Sequence, residues 1–181
     1  MMRYKSFRSG LLEQIVFAEC TQMESDEILT TLKKCELFKH LDNDELDTLA
    51  KLCAVEEYGA GETIYGQGET GDRLYILSKG QVSLNRNYKL HTSRNADVVV
   101  YVLRETSNRR LIGGWCTLVG KEHVFMCSAR CDRDSRLVVI DGKFINDLMA
   151  DKPDIRIKIL EKLILLLRGR LESSYESFES I

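Results

Sequence analysis

Apolar residues along the chain follow three successive patterns, which predict helices first, strands next and a helix last. In the first pattern Ile28, Leu29 and Leu32 recur at helical spacing. Ser25 precedes them and carries the hydroxyl that an N-cap requires. A helix is therefore predicted from Ser25 to Lys34.

A second helix is predicted after Asp42. Asp42 and Glu45 have the three-residue spacing of a capping box, in which each side chain accepts a hydrogen bond from the other residue's backbone N–H. Leu46, Leu49 and Leu52 then form its apolar stripe.

From Cys53 onward the helical spacing disappears, and glycines separate short runs of β-prone residues. There are seven such runs: CAVEEY, ETIYGQG, RLYILSKG, QVSLNRNYKL, ADVVVYVL, HVFMCSARC and SRLVVIDG. Closely spaced strands of this kind are typical of an antiparallel sandwich or roll. The predicted fold class is α+β: a β-roll (double-stranded β-helix, or jelly roll) with N-terminal helices and a long C-terminal helix.

The final helix is predicted to open at Pro153, where the missing N–H costs nothing, and to run to about Phe178. The chain then divides into an N-terminal extension over residues 1–24, a β-roll with leading helices over 25–152 and a C-terminal helix over 153–181. The extension has an apolar spacing that suggests a short amphipathic helix, formed by Leu11, Leu12, Ile15 and Val16. That helix could dock on the roll or on a partner.

Charge and composition narrow the class of protein. The 181 residues include 44% hydrophobic residues, enough for one sizeable core, and 26 basic residues against 28 acidic ones. A net charge of -2 without a basic stripe argues against a nucleic-acid binder or a binder of anionic membranes. Apolar runs such as residues 163–167 are too short to span a membrane, and the N terminus does not resemble a signal peptide. We expect a soluble, cytoplasmic protein.

Six cysteines are scattered without the CxxC spacing of structural zinc sites, which favours reduced thiols. Cys127 and Cys131, with Cys116 and His123 nearby, are the one set that could hold a metal. In a straight strand, however, residues four apart lie about 13 Å from each other, too far to share an ion. No metal and no resident cofactor are predicted.

The segment GAGETIYGQGETGDRLYILSKGQVSL, residues 59–84, resembles the signature of the cyclic nucleotide-binding domain family, which includes the Crp and Fnr regulators. The resemblance lies in Gly61-Glu62, Gly68, Gly71-Asp72, Tyr75-Ile76, and Gly80 with Val82. Most of these residues have a structural reason, since glycine tolerates tight turns and the Gly71-Asp72 pair suits a hairpin turn. The leading helices are also similar, so the resemblance covers roughly residues 28 to 178.

The resemblance places a phosphate-binding cassette at residues 111–131. In the family this cassette reads Phe-Gly-Glu-x-Ala-Leu and then Pro-Arg-Ala-Ala: backbone N–H groups and the Arg hold the phosphate, and the Glu holds the ribose. Carried over residue by residue, Gly114 matches the Gly, and Thr117 and Leu118 match the Ala-Leu. Trp115 stands at the Glu, His123 at the Pro and Val124 at the Arg.

Both charged anchors of the cassette are therefore replaced, and ordinary binding of cAMP or cGMP is not expected. A one-residue slip would put His123 at the Arg position, where a protonated imidazole could partly replace it at mildly acid pH. Any ligand site would still be formed by the cassette and the strand after it: Gly113, Gly114, Trp115, Cys116, Thr117, Leu118, His123 and Val124.

Trp115 allows two interpretations. It can fill the pocket as a core residue, or it can offer a flat face on which a planar ligand stacks. A Gly-Trp form of the cassette resembles a branch of the same superfamily whose members look like stand-alone sensors of uncertain ligand.

Four arginines near the cassette in sequence could supply charge from another direction, or could lie in a solvated loop or at a strand edge: Arg104, Arg109, Arg110 and Arg130. The run ETSNRR, residues 105–110, is predicted to be a polar hairpin loop that could shape the pocket mouth.

The C-terminal helix carries apolar residues at the spacing of a coiled-coil seam: Leu160, Ile164, Leu167, Leu171 and Phe178. Leu163, Leu166 and Tyr175 widen that stripe, so the helix could cover both its own roll and a second surface. In the resembled family this helix often pairs with its twin, which implies a homodimer. The alternative is a helix packed on its own roll alone.

Three functions from different classes follow. The first is a dimeric sensor, part of a signal-transduction pathway, in which a small effector shifts the cassette and the last helix for an unidentified partner. The second is a ligand-free interaction scaffold, a pseudo-receptor whose pocket is filled by Trp115. The third, an enzyme, is disfavoured because no nucleophile, carboxylate pair or metal motif is present, and His40 and His91 lie in polar contexts.

Overall fold

In the computed structural model, the described residues form three layers: helices, one sheet that touches them, and a second sheet behind it. The backbone is described for residues 9–89 and 95–179, and side chains for residues 22–88, 96–172 and 175. His91 and the side chain of Phe178 lie outside the described residues, as do the side chains of the apolar set predicted in the N-terminal extension.

The chain begins with helix α1 (Ser9–Lys34) and helix α2 (Asn43–Ala50). The predicted start of α1 at Ser25 is wrong, since a single helix runs through that position. The division of the chain at residue 24 stays a prediction, although it falls inside α1. The capping box of α2 is confirmed: Glu45 N–H donates to the Asp42 carboxylate, and Asp42 N–H donates to that of Glu45, each over 2.9 Å.

Ten strands follow, and all seven predicted runs contain strand. They are β1 (Cys53–Tyr58), β2 (Thr63–Tyr65), β3 (Thr70–Gly71), β4 (Arg73–Lys79), β5 (Gln81–Lys89), β6 (Asn95–Arg104), β7 (Leu111–Gly113), β8 (His123–Val124), β9 (Ser128–Cys131) and β10 (Ser135–Asp141). Sheet A has the order β1-β10-β4-β7, sheet B the order β2-β9-β5-β6, and β3 pairs with β8. The predicted α+β roll is confirmed.

Sheet A is buried on both faces, because α1, α2 and the later helices cover one face and sheet B covers the other. Leu74, Ile76 and Val138 pack with the helices, whereas Leu77 and Leu137 pack with sheet B. Strands covered on both faces have no need of polar alternation, which explains the continuous apolar runs of β4 and β10.

Two turn predictions are wrong. Gly71-Asp72 is not a hairpin turn, because Gly71 lies in β3 opposite His123 of β8. The segment 105–110 does not join two paired strands either, since β6 lies in sheet B and β7 in sheet A. It carries the chain from one sheet to the other.

Three helices complete the chain: the 3₁₀ helix at Trp115–Val119, helix α3 (Gly142–Asp151), and helix α4 (Pro153–Glu179). Helix α3 was not predicted from the sequence, whereas the predicted helix from Pro153 to about Phe178 is confirmed as α4. No described helix combines the length and the apolar content needed to cross a bilayer. The five cysteines whose side chains are described are free thiols.

Candidate functional site

The cassette segment starts from β7 and turns at once into the 3₁₀ helix Trp115–Val119. Gly114 and Gly120 bound this helix with positive φ angles of 92° and 67°. A Cβ on Gly114 would lie 1.9 Å from the backbone oxygen of Arg73 in the neighbouring strand. Only glycine fits there, because both the φ angle and the close approach exclude a side chain.

Hydrogen bonds hold the start of the cassette and connect it to α3. The backbone N–H and the side-chain hydroxyl of Thr117 both donate to the carbonyl oxygen of Gly114, at 3.0 and 2.7 Å. The Asn146 amide of α3 donates to the carbonyl oxygens of Thr117 and Gly142. The cassette is therefore tied to α3, and the N–H of Thr117 is already used.

Trp115 is half-buried and packs against the helix-facing core rather than inside the roll. Its ring contacts the His123 ring edge-on, with 4.7 Å between centroids. The Arg170 guanidinium of α4 lies 4.7 Å from the same indole ring, a cation–π contact. The indole is thus a packing residue of the cassette edge.

His123 points into the roll and is held in a neutral pair. Its Nδ1 lies 3.0 Å from the Cys116 sulfur, and burial lowers the pKa of His123 below its ordinary 6.5. Burial likewise raises the pKa of the Cys116 thiol. Both shifts favour the uncharged forms, because a low-dielectric environment penalises charge. An imidazolium that replaces an arginine at mildly acid pH is therefore disfavoured.

Val124, which stands at the family's arginine by gap-free counting, points out of the roll. Its side chain is 53% exposed, and its backbone pairs with Thr70 of β3. Successive strand residues point to opposite faces, so His123 and Phe125 point inward on either side of it. A residue at position 124 does not face the interior.

The interior of the roll is filled by aromatic rings that the sequence analysis did not identify as site residues. The rings of Tyr65 and Phe125 are stacked, with centroids 3.7 Å apart and planes at 14°. Tyr75 lies against both rings, and the His123 ring meets Phe125 edge-on at 5.0 Å. We call Tyr65, Tyr75 and Phe125 the aromatic stack.

The aromatic stack rests on bare glycine backbone. A Cβ on Gly71 would lie 2.7 Å from the Phe125 ring, and one on Gly113 would lie 2.6 Å from the Tyr65 oxygen. The Tyr65 hydroxyl also donates to the carbonyl of Ile112 at 3.3 Å. Gly71 is therefore conformationally ordinary but sterically required, which is why assigning it to a hairpin turn missed its role.

Arg170 of α4 connects the cassette to the N-terminal helices. Beyond its contact with Trp115, it lies 3.8 Å from the buried Glu36 carboxylate. Burial, with the nearby charge of Arg109, lowers the pKa of Arg170 to about 10, so it stays protonated at neutral pH. Glu36 also accepts from the backbone N–H groups of Arg110, at 2.7 Å, and Leu111, at 3.2 Å.

The other arginines near the cassette do not converge on it. Arg104 and Arg130 are exposed, and the Arg109 guanidinium lies over the Tyr101 ring at 4.0 Å. Arg110 is buried, so a solvated-loop position is wrong for it. Its guanidinium donates to the carbonyls of Leu77 and Ser78, both at 3.0 Å.

The predicted site residues are thus contiguous in space but unequal in exposure. The structure buries five of them, leaves two half-buried and exposes one: Gly113, Gly114, Thr117, Leu118 and His123; Trp115 and Cys116; and Val124. Their role as ligand-binding residues stays a prediction.

The chain is similar to known proteins in both sequence and fold. The model of the family described as the cyclic nucleotide-binding domain matches residues 55–152, just over half of the chain. The CRP-like cAMP-activated global transcriptional regulator of Mycobacterium tuberculosis is 27% identical over 148 residues, which cover 79% of this chain and 58% of that regulator. The chain therefore spans less than two thirds of that relative.

Solved structures extend the similarity to the whole roll. A cyclic nucleotide-binding domain from Methylobacillus flagellatus superimposes with a TM-score of 0.68 at 20% identity, over 84% of this chain and 81% of that one. The regulatory subunit of a cAMP-independent protein kinase A from Trypanosoma brucei, solved as a mutant bound to cAMP, gives a TM-score of 0.61 at 16% identity, over 87% and 51%. At these identities the similarity is one of fold.

Proposed function

Because the chain belongs to the cyclic nucleotide-binding domain family, we propose that it is a non-catalytic regulatory module whose roll is closed to cyclic nucleotides by its own side chains. The observation that carries this proposal is the aromatic stack, in which Phe125 and Tyr65 pack directly on Gly71 and Gly113. We assign this closure to the aromatic stack rather than to Trp115, because Trp115 packs against the helix-facing core at the cassette edge.

Electrostatics support the same proposal. A bound phosphate needs a counter-charge, and a charged hydrogen bond of this kind contributes roughly 1.5–3 kcal/mol. Val124 carries no charge and points outward, while the pKa of the inward-pointing His123 is lowered by burial. One neighbour of this fold, the Trypanosoma brucei regulatory subunit, belongs to a kinase described as cAMP-independent.

We expect titration calorimetry with cAMP and cGMP to show no saturable binding between pH 5.5 and 8. Acidification should do little to rescue binding, because burial lowers the pKa of His123 below its ordinary 6.5, so at any given pH this imidazole is less protonated than a free one. The M. tuberculosis regulator, whose description is cAMP-activated, is the positive control in the same buffers. Saturable binding would contradict the proposal, and binding that strengthens toward pH 5.5 would assign the phosphate to His123.

The sensor function remains a second candidate, favoured by one contact. Arg170 of α4 contacts both the Trp115 ring of the cassette and Glu36, which follows α1, so a shift of the cassette would be transmitted to α4. A ligand other than a cyclic nucleotide, or a protein partner, could then bias the position of α4.

The outer face of α4 supports the proposal of a homodimer. Ile159 and Leu163 are buried against the roll, and Leu160 is half-buried. The outward side chains are more than one third exposed: Ile157, Ile164, Leu165, Leu167, Leu171 and Tyr175. Ile157, Ile164 and Leu171 repeat every seven residues, as one position of a coiled-coil heptad does.

The double variant Ile164→Asp with Leu171→Asp should convert a dimer into a monomer. Two carboxylates in a packed apolar seam lose the burial energy of both side chains, so dimer affinity should fall at least about tenfold. Light scattering coupled to gel filtration measures the mass. The control is Phe144→Asp on α3, which is 52% exposed, similar to Leu171 at 56%. A monomeric unmodified chain at micromolar concentration, or an unchanged mass in the double variant, would contradict the dimer.

A further inference from the structure

A basic cleft lies on the side of the molecule formed by the end of α1, the turn after it and the loop that follows β6. Its volume is about 610 Å³, a size that suits a small ligand. Its walls are formed by Lys33, Lys34, Lys39, Glu105, Thr106, Ser107, Asn108 and Arg110. The aromatic stack and the cassette contribute none of these residues.

The charge of the cleft is strongly unbalanced. Three lysines and Arg110 line the cleft with one carboxylate, that of Glu105, which accepts from the backbone N–H of Gly80 at 3.0 Å. Lys34 and Arg110 also line an adjoining cleft, in which Asp26 and Glu27 lie. Within the described part of the chain, each ion pair is formed by other residues, so Lys33, Lys34 and Lys39 have no acidic partner. On a chain of net charge -2, such a local excess of cations stands out.

The helix end explains only part of this excess. Lys33 and Lys34 lie in the last turn of α1, where cations offset a partial charge of about -0.5. Lys39 lies beyond the helix, in the turn that follows. The pKa of the neighbouring His40 is lowered by burial and by the charges of Lys162 and Lys39, so the potential stays positive past the helix end.

Arg110 supplies an independent observation in the wall of the cleft. It is only 6% exposed, and its guanidinium donates to the carbonyls of Leu77, Ser78 and Glu105. Its Nε is buried and has no hydrogen-bond partner among the described residues. A buried guanidinium held by carbonyls alone retains its full positive charge, which a nearby anion would compensate.

We propose that this cleft binds a compact anion that carries two or more phosphate groups. The three lysine ammonium groups supply point charges for separate phosphates, and the Ser107 hydroxyl and the Asn108 amide supply neutral donors at the loop. The proposal does not depend on whether the interior of the roll accepts a nucleotide, because the two sites share no residue.

The test is calorimetric titration of the full chain with inorganic pyrophosphate at low ionic strength. We expect saturable 1:1 binding that weakens as salt is added, because exposed charges are screened. The triple variant Lys33→Gln, Lys34→Gln, Lys39→Gln should bind at least about tenfold more weakly, since each exposed charge pair contributes roughly a two- to fivefold effect. All three side chains are exposed, so the variant should fold normally.

The control variant makes the same change of charge elsewhere: Lys51→Gln, Lys121→Gln and Lys143→Gln, all exposed and outside the cleft. Absence of saturable binding, or equal weakening in both triple variants, would overturn the proposal. Competition by ATP or by inositol trisphosphate would support it and identify the source as a nucleotide or a lipid headgroup. cAMP, with one phosphate, should not compete, and loss of the cleft would leave the closed-roll proposal untouched.

Discussion

Replacing Gly114 by alanine should destabilise the protein by more than about 4 kcal/mol, or prevent folding. The new Cβ would lie 1.9 Å from the backbone oxygen of Arg73 and 3.0 Å from the Cα of Leu74, neither of which can rotate away. The φ angle of 92° adds the cost of a left-handed conformation, roughly 1–2 kcal/mol. Urea denaturation followed by circular dichroism measures the loss.

Gly120→Ala is the matched control at the other end of the same 3₁₀ helix. Gly120 also has a positive φ, 67°, but a Cβ there would meet no atom within 4 Å. It should therefore cost only the conformational term, roughly 1–2 kcal/mol. Equal losses for both variants would show that the close approach of the cassette to β4 does not exist.

Phe125→Ala should cost roughly 3–5 kcal/mol, as buried aromatic truncations do. Phe125 is 4% exposed, and its ring contacts Tyr65, Tyr75 and His123. The lost contacts and the cavity left beside Gly71 both contribute to the cost. Denaturation curves give the loss, and calorimetry with cAMP on the folded variant shows whether space alone admits a ligand.

Val124→Ala is the control, because Val124 directly precedes Phe125 at the end of β8 but is exposed to solvent; it should change stability by less than about 0.5 kcal/mol. Trp115→Ala should cost less than Phe125→Ala, since the indole is half-buried at the cassette edge. If Trp115→Ala were the more destabilising change, Trp115 and not the aromatic stack would fill the pocket.

Phe125→Leu keeps most of the side-chain volume and provides a folded variant if Phe125→Ala does not fold.

If folded Phe125→Ala still shows no cAMP binding, then the absence of binding is due to the lack of a positive group for the phosphate as well as to the lack of room inside the roll. The unmodified roll would then lack both a cavity and a positive group for the phosphate. Val124 is uncharged and points to solvent, and the guanidinium of Arg110 is bonded to the carbonyl oxygen of Leu77. Recovery of binding would instead make the aromatic ring the main barrier. Either outcome separates steric closure of the roll from electrostatic unsuitability.

Most of the elements, their order and the family resemblance could be predicted from the sequence. Local signals were sufficient for this: the capping pair Asp42 and Glu45, the glycine-separated strand runs, and Pro153 at the start of α4 each act within a few residues. It also identified Trp115 and Val124 as departures from the cassette pattern. Helix α3 was missed although Asp141 caps it locally, with its carboxylate accepting from the Lys143 N–H, and the true start of α1 was missed because Ser25 was interpreted as an N-cap inside what is one continuous helix.

The roles of the side chains, in contrast, depend on tertiary contacts. Tyr65 and Phe125 are far apart in the chain and meet because β2 and the strands after the cassette close the roll between two sheets. Strand alternation turned Val124 outward, and the rotation of about 100° between consecutive residues of α4 separated buried Leu163 from exposed Ile164. The residue pattern along the chain predicts the periodicity of a helix or a strand. Which face of that helix or strand packs against which other element depends on long-range contacts. These contacts place the aromatic stack inside the roll and the lysines around a cleft.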